Sequence, residues 1–433
     1  MLSKGHESVI QEIKSRVLLS SIIQKNVDLK KSGPNFIGRC PFHNEKTPSF
    51  NVRDKEGYFK CFGCGASGDH FNFLMKIKGF NFLEALEELK ATAGIISPTS
   101  EKNIKKSSKE QRYYYVLKIV HNFFHKYLLQ TPKAIEYLSL RGVNLSMAKA
   151  AKLAYRPSSS ELLIKYLSKY SISLQEACEF AILKKDLKTS YFAERLIFPI
   201  YNNLDKCVAF GARALINNAN IPKYINSPSN DYYEKKTTFY GLCESKSAIN
   251  KGEIPYIVEG YFDAMAFWKL GFPALALCGT SFSTEHVSII KKFTSNIIFC
   301  FDLDQAGINA LKSALIIAFE NSLNTHIAVI DEKDPGIYLE NNTLSVLQDK
   351  IVNKKDAFCF LLDLASIKCM EGFNEKIKEI NNLLPIFQSI KVEILKRQYV
   401  AYFSNKINED ISVLWQEVSK KKSRKEFTSS IKL

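Results

Sequence analysis

Ile254-Pro255-Tyr256-Ile257-Val258-Glu259-Gly260-Tyr261-Phe262-Asp263 is the first of three apolar runs that each end in a carboxylate. The second is Ile297-Ile298-Phe299-Cys300-Phe301-Asp302-Leu303-Asp304, and the third is Ile327-Ala328-Val329-Ile330-Asp331-Glu332-Lys333-Asp334. Short runs rich in β-branched and aromatic side chains, bounded by turn residues, suit buried strands of a parallel sheet. Helix-like segments lie between them, from Tyr261 to Leu270, from Thr284, and from Gly307 to Glu320. The run Ala274 to Cys278, closed by Gly279-Thr280-Ser281, supplies a further strand. This alternation implies right-handed crossovers and helices packed on the sheet faces.

Ligands gather beyond the carboxyl ends of such strands, and Glu259 and Asp302 fall there. Asp302 and Asp304 are two apart, so an extended backbone aims both side chains to one side. Clustered carboxylates repel, and their pKa values rise unless a cation neutralises them. All-oxygen ligands favour Mg²⁺ or Mn²⁺ over zinc. A pair of such ions roughly 3.5–4 Å apart activates an attacking hydroxyl and stabilises a leaving phosphate oxygen. One acid at a strand end is most often a solvated loop residue. Glu259, Asp302 and Asp304 together, after runs in this order, point to a metal site.

A chain of 433 residues is expected to form two to four domains. Lys and Arg number 60 against 44 Asp and Glu, a net charge of +16. That surplus suits a nucleic-acid partner, although a Lys-rich proteome produces it too. No apolar run approaches a membrane span and the N-terminus lacks a signal-peptide pattern, so a cytoplasmic protein without membrane attachment is expected. Ten cysteines in that setting point to thiols or metal ligands, not disulfides. No Gly-x4-Gly-Lys-Ser/Thr loop appears, which argues against a fused ATPase or helicase motor.

Near the N-terminus, Cys40-Pro41-Phe42-His43 is followed after seventeen residues by Cys61-Phe62-Gly63-Cys64. Three thiolates and one imidazole at this spacing suit a closed, tetrahedral, structural zinc site, with knuckles at each pair. Ser49 to Val52 and Gly57 to Cys61 read as strands of a small sheet. Phe42, Lys46, Phe50, Arg53, Lys55, Phe59, Lys60 and Phe62 surround the knuckles; some must form the core and others are available to single-stranded DNA. Asp69 reads as the cap of a helix to Lys78, and Asn81-x-x-Glu84 as a capping box for the next.

Residues 97–110 are polar and aperiodic, which reads as a linker. Helical patterns resume at Tyr113–Leu129, Pro132–Leu140 and Glu161–Tyr170. From Glu194, apolar strands are punctuated by single cations. Arg195, Arg213 and Lys223 stand in such apolar settings that a groove for phosphates is the better reading than solvated charge. Beyond Val346 the chain reads as amphipathic helices with a basic tail from Lys420 to Lys425.

These motifs resemble the bacterial replicative primases of the DnaG type. The zinc motif from Cys40 to Phe50 with Cys61 to Gly65 is similar to their zinc domain. Glu194–Ile200, Pro222–Pro228, Tyr240-Gly241-Leu242, Val258–Asp263 and Gly279-Thr280-Ser281 are similar to their RNA polymerase domain. The order matches from about residue 3 to 400. The resemblance implies an α/β multidomain protein: a zinc-ribbon-like domain (1–96), the linker (97–110), a mixed α/β groove subdomain (111–250), a Toprim parallel-sheet catalytic core (251–340), and a helical subdomain with its tail (341–433).

It implies synthesis of short RNA primers on single-stranded DNA from ribonucleoside triphosphates, with one structural zinc and catalytic Mg²⁺ or Mn²⁺. Carried over by position, Glu259, Asp302, Asp304 and Asp334 are the metal-binding acids and Asp263 supports them. Arg195, Arg213, Lys223, Tyr224, Asn226 and Lys235 line the template and nucleotide groove. A monomer working at the replication fork, with the replicative helicase as partner, is expected.

Three departures stand out. Gln305 replaces the family's usual cation after Asp304, and Gly336 its usual second acid after Asp334; both bear on the number of ions held. The usual C-terminal helicase-docking domain does not follow, so the chain reads as a natural short form or a truncated piece. Two rivals are weaker: a non-catalytic zinc/Toprim DNA-binding protein of the recombination-mediator type, which the segment from Arg195 to Lys235 argues against, and a topoisomerase or nuclease, which would need a larger gate architecture or an ATPase loop.

Overall fold

The computed structural model describes residues 4–78, 80, 82–95, 101–216, 221–330, 335–341 and 343–420. It forms two compact units. One comprises Met1–Thr280, Ser288–Thr294 and Pro335–Leu344, and the other Ser281–Val287, Ser295–Asp334 and Ser345–Leu433.

The chain begins with helices α1 (Lys4–Arg16) and α2 (Leu19–Ile23). An antiparallel sheet follows in sequence order: β1 (Leu29–Ser32), β2 (Asn35–Gly38), β3 (Phe50–Arg53), β4 (Tyr58–Cys61) and β5 (Ser67–Gly68). Helices α3 (His70–Lys78) and α4 (Phe82–Ala93) close it. Period-two alternation turns Phe50, Val52, Phe59 and Cys61 inward. Phe50 and Phe59 stack at 5.1 Å, and Phe73 from α3 meets Phe59 edge-on at 5.7 Å. Asp69 caps α3 as expected, its Oδ1 accepting the N–H groups of Phe71 and Asn72 at 3.0 Å. Asn81, the start of the second expected cap, lies outside the described residues.

The segment read as a linker is different. From Glu101 it belongs to α5 (Glu101–Leu129), while 97–100 lie outside the described residues. Lys, Glu and Gln are good helix formers, and a polar, aperiodic stretch marks a solvated helical extension as readily as a loop. The packed half, with Tyr113, Val116, Val120 and Phe124 buried, supplies the nucleus from which it propagates.

Next come α6 (Pro132–Leu140), α7 (Leu145–Ala150), β6 (Ala154–Arg156), α8 (Ser160–Ser168), α9 (Leu174–Glu179), β7 (Arg195–Tyr201), β8 (Cys207–Ala214) and β9 (Tyr224–Asn226). The four strands form an antiparallel sheet in the order β6-β7-β8-β9. One face, with Ala154, Ile197, Phe210 and Ala212, packs into the α5 core. The other face carries Phe198.

The chain continues through β10 (Phe239–Tyr240), α10 (Leu242–Asn250), β11 (Tyr256–Val258), α11 (Tyr261–Lys269), β12 (Ala274–Leu277) and α12 (Thr284–Ile290). Then follow β13 (Asn296–Cys300), α13 (Gln305–Glu320), β14 (Asn324–Ile327), α14 (Gly336–Glu340), α15 (Leu344–Val352) and β15 (Lys355–Asp356). In the first unit β11 runs parallel to β12, with β10 antiparallel on the other edge of β12. In the second, β13 and β14 are parallel and β15 is antiparallel to β14. The parallel pairs match the expectation; the antiparallel edges, two residues each, are too short to leave a periodic signal.

The third apolar run is also displaced. The strand is Asn324–Ile327, ahead of the expected Ile327–Ile330, because its register with β13 sets Asn296 against Asn324 and Phe299 against Ile327. Its polar Asn324, Thr325 and His326 hid it. Helices α16 (Ala357–Cys369), α17 (Phe373–Ser389), α18 (Glu393–Ile407) and α19 (Ile411–Ser419) complete the second unit. The tail beyond Lys420 lies outside the described residues. Among the described residues no helix is long and apolar enough to cross a membrane.

Candidate metal centres and nucleic-acid groove

The zinc ligands converge. The donor atoms of Cys40, His43, Cys61 and Cys64 all lie within 4.8 Å of one another. A tetrahedral ion with Zn–S near 2.3 Å sets two sulfurs about 3.8 Å apart. Cys40 Sγ and Cys64 Sγ are 3.8 Å apart, as are Cys61 Sγ and His43 Nδ1. Backbone N–H groups of Phe42 and Cys64 point at the sulfurs of Cys40 and Cys61, each at 3.4 Å, which is the knuckle geometry. Burial pushes the Cys40 thiol well above its usual range, with Cys61 and Cys64 adding to it. A cation relieves that cost, so the donor set fits zinc.

Sequence reasoning missed the residue that orients this site. The Glu45 carboxylate accepts the Cys40 N–H at 2.6 Å, the Ser49 N–H at 3.2 Å and the Ser49 hydroxyl at 2.5 Å. Its Oε2 also lies 3.3 Å from His43 Nε2, which leaves Nδ1 turned to the sulfurs. Although desolvation opposes it, the Ser49 and Cys40 bonds hold this carboxyl below its ordinary range. A carboxylate behind a metal-ligating imidazole fixes its tautomer and orientation. The available signal was an acid two residues after the histidine. The aromatics sort themselves as well: Phe42, Phe50 and Phe59 pack together, whereas Phe62 is 64 % exposed with Lys60 Nζ 5.4 Å from its ring centre.

The groove residues fall into two groups, and the register shows why. Arg195 pairs with Ala214 and Arg213 with Leu196, so the two arginines occupy opposite faces of their sheet. Arg213 shares its face with Tyr224, and Gly211 with Asn226. Arg213 is buried and donates to the Tyr224 hydroxyl. Its guanidinium lies 4.9–5.5 Å from the ring centres of Tyr224, Phe262 and Tyr137, and its Nε has no acceptor.

Asn226 is a brace: its amide donates to the Cys278 carbonyl at 2.7 Å and accepts the Tyr261 hydroxyl at 2.5 Å. Tyr261 stacks on Phe198 at 4.6 Å, and a Cβ on Gly211 would stand 2.4 Å from the Tyr261 hydroxyl. The first turn of α11 is thereby locked onto the sheet. Arg195 sits on the other face beside Arg156, with Nη1 3.3 Å from the Lys223 carbonyl. Burial lowers the pKa of both, that of Arg156 to about 10. Lys223 is exposed, and Lys235 opens a short 3₁₀ turn at Lys235–Thr237. Arg141, also missed, ion-pairs with Glu340 and lies 5.5 Å from the Phe262 ring centre.

The acids stand where the strands end. Glu259 is exposed directly after β11, in the first unit. Asp302 and Asp304 follow β13, in the second. The backbone has left the strand there: Asp304 is the N-cap of α13, its Oδ1 accepting the Gly307 N–H at 2.8 Å. Gly307 is demanded by space, since a Cβ there would stand 1.9 Å from the Asp302 carbonyl oxygen. Asp334 lies outside the described residues. Asp263 is buried and bridges two turns, taking the Gly260 N–H on Oδ2 at 2.8 Å and the Gly336 N–H on Oδ1 at 3.1 Å.

Comparison with known proteins identifies the modules along the chain. Residues 5–105 match the family model of the CHC2 zinc finger, 123–246 that of the DNA primase catalytic core, N-terminal domain, and 256–339 a Toprim-like model. A DNA primase of Borreliella burgdorferi is 32 % identical over 436 residues, covering 96 % of this chain and 82 % of the relative. The chain belongs to the DNA primase family. A Thermotoga maritima DNA primase is 32 % identical over 410 residues, covering 94 % of this chain and 71 % of its own length. The crystal structure of the Aquifex aeolicus primase, with zinc-binding and RNA polymerase domains, superposes with a TM-score of 0.63 at 27 % identity. It covers 94 % of this chain and 99 % of that one. The chain thus carries a zinc-binding domain and a primase catalytic core. The recombination-mediator alternative finds no support among these matches.

Proposed function

We propose that this primase-family chain synthesises short RNA primers on single-stranded DNA by nucleotidyl transfer. The observation that carries the reading is the order of its modules: a Cys₃His zinc ribbon, a primase-core sheet bearing Arg213, and acids at the carboxyl ends of β11 and β13. In the reaction, the 3′-hydroxyl of one ribonucleotide bonds to the α-phosphorus of the next. The bond to the bridging oxygen breaks, pyrophosphate leaves, and the hydroxyl proton passes to solvent.

Glu259, Asp302, Asp304 and Asp334 would hold the divalent ions, and their all-oxygen donor chemistry fits Mg²⁺ or Mn²⁺. Bound there, such ions supply charge neutralisation at the attacking and leaving oxygens. The chain's own residues do the rest. Arg213 stands among the rings of Tyr137, Tyr224 and Phe262 and lacks an acceptor on Nε, which favours its use for a phosphate. Tyr224 orients that guanidinium. Asp263 ties the turn after Glu259 to the start of α14 through the Gly260 and Gly336 N–H groups. Lys223 and Lys235 would neutralise template phosphates.

The test is incorporation of labelled ribonucleotides on single-stranded DNA with Mg²⁺ or Mn²⁺. Oligoribonucleotides that disappear in Glu259→Gln support the reading. Equal synthesis by that variant would refute the assigned chemistry. The same assay, with and without the fork helicase, tests whether that partner stimulates this chain.

A further inference from the structure

An open-sided chamber lies on α11, at the end away from Asp263. It is lined by α7, α10 and α11, with a volume of about 370 Å³, inside the range of small-ligand sites. Its walls are Met147, Ala248, Met265, Trp268 and Phe272. They are firmly set: Met265 is buried, and the Trp268 indole N–H is shared between Ser245 Oγ at 3.2 Å and the Ala274 carbonyl at 3.1 Å.

One acid lines this apolar space. The Glu244 side chain is 18 % exposed, and Lys152 Nζ stands off at 3.9 Å. Lys152 is drawn elsewhere too, lying 4.1 Å from the Tyr201 ring centre and 3.7 Å from Cys243 Sγ. Glu244 is therefore largely stripped of water, its ion-pair partner Lys152 stands beyond hydrogen-bond distance, and burial raises its pKa against the pull of Lys152 and Lys246. An anion would be repelled. A neutral apolar ligand would dehydrate the carboxylate further and return nothing. A ligand that brings both a positive charge and apolar surface satisfies the acid and the walls together.

We propose that this chamber binds a small organic cation, an ammonium group on an aromatic or aliphatic body, held by Glu244 and packed against Trp268. Lys269, exposed at the rim, leaves the interior charge to Glu244. The site is separate from the acids that end β11 and β13, so it does not rest on the proposed metal chemistry.

The chain has two tryptophans, Trp268 and Trp415, so the full chain carrying Trp415→Phe makes Trp268 the reporter. Its emission is followed during titration with phenethylammonium and with 2-phenylethanol, a neutral probe of similar shape. Phenethylammonium is expected to give a saturable change and to bind at least about tenfold more tightly, a gap of about 1.4 kcal/mol. Glu244→Gln is expected to erase that preference with the far-ultraviolet circular dichroism unchanged, and Ala248→Phe to abolish both titrations. The proposal is overturned if neither probe binds, if both bind equally to the parent chain, or if Glu244→Gln keeps the preference.

Discussion

The zinc module and the acid-bearing strands place their candidate ligands over very different lengths of chain. The four zinc donors all come from residues 40–64, two knuckles joined by a hairpin whose register is set by Phe50 and Phe59. The acids come from two strands with whole helices between them, and they belong to different compact units. In the first case local spacing nearly dictates the geometry. In the second, the carboxylates are set by long-range braces, Asn226 and Gly211 against Tyr261 and Asp263 against Gly336, and by one tight local turn, Gly307 against Asp302. Damage to the first region should unfold a module; damage to the second should leave the fold and remove the chemistry.

Asp302→Ala gives the sharpest version of that contrast. Loss of one carboxylate from a divalent-metal site should cost several kcal/mol in the transition state, about a thousandfold in primer synthesis. Circular dichroism and zinc content should not change. A parallel loss of structure would erase the distinction.

Zinc removal is the opposite experiment. Apparent zinc binding of about 10–16 kcal/mol holds modules of this size together, so chelation or Cys61→Ser should unfold residues of the zinc module, seen as lost hydrogen-exchange protection around Phe50 and Phe59. Protection of β7 and β8 should persist.

Gly307→Ala tests whether the acids depend on the close-packed turn after β13. Forcing a methyl against the Asp302 carbonyl should cost roughly 1–3 kcal/mol and slow primer synthesis by roughly tenfold. Unchanged turnover with an unchanged melting temperature would show that the contact relaxes freely.

Glu45→Gln should be the mildest at the level of activity. It should weaken zinc affinity by about 10–100-fold, measured by chelator competition, while the fold at saturating zinc is kept. Wild-type affinity would remove Glu45 from the account.

What the sequence revealed follows the same division. The zinc ligands, β7 and α6 were legible residue by residue because spacing, alternation and an N-terminal proline are local signals. The acids were legible as strand ends, but Asp304 proved to be a helix cap, a role that only the turn after β13 defines. The opposed faces of Arg195 and Arg213 became visible only once β7 and β8 were paired, because register is a relation between two strands. Arg141 had no local signature, since its value lies in Glu340 and Phe262, far along the chain. The helical start of α5 was misread because charged residues look alike in a linker and on a solvated helix.

The central claim is that the acids ending β11 and β13 bind divalent ions. Manganese binding followed by electron paramagnetic resonance, in the parent chain, in Glu259→Gln and in Asp302→Asn, tests it most directly. The account predicts that each substitution weakens tight manganese binding. Binding in both variants indistinguishable from that of the parent chain would contradict it.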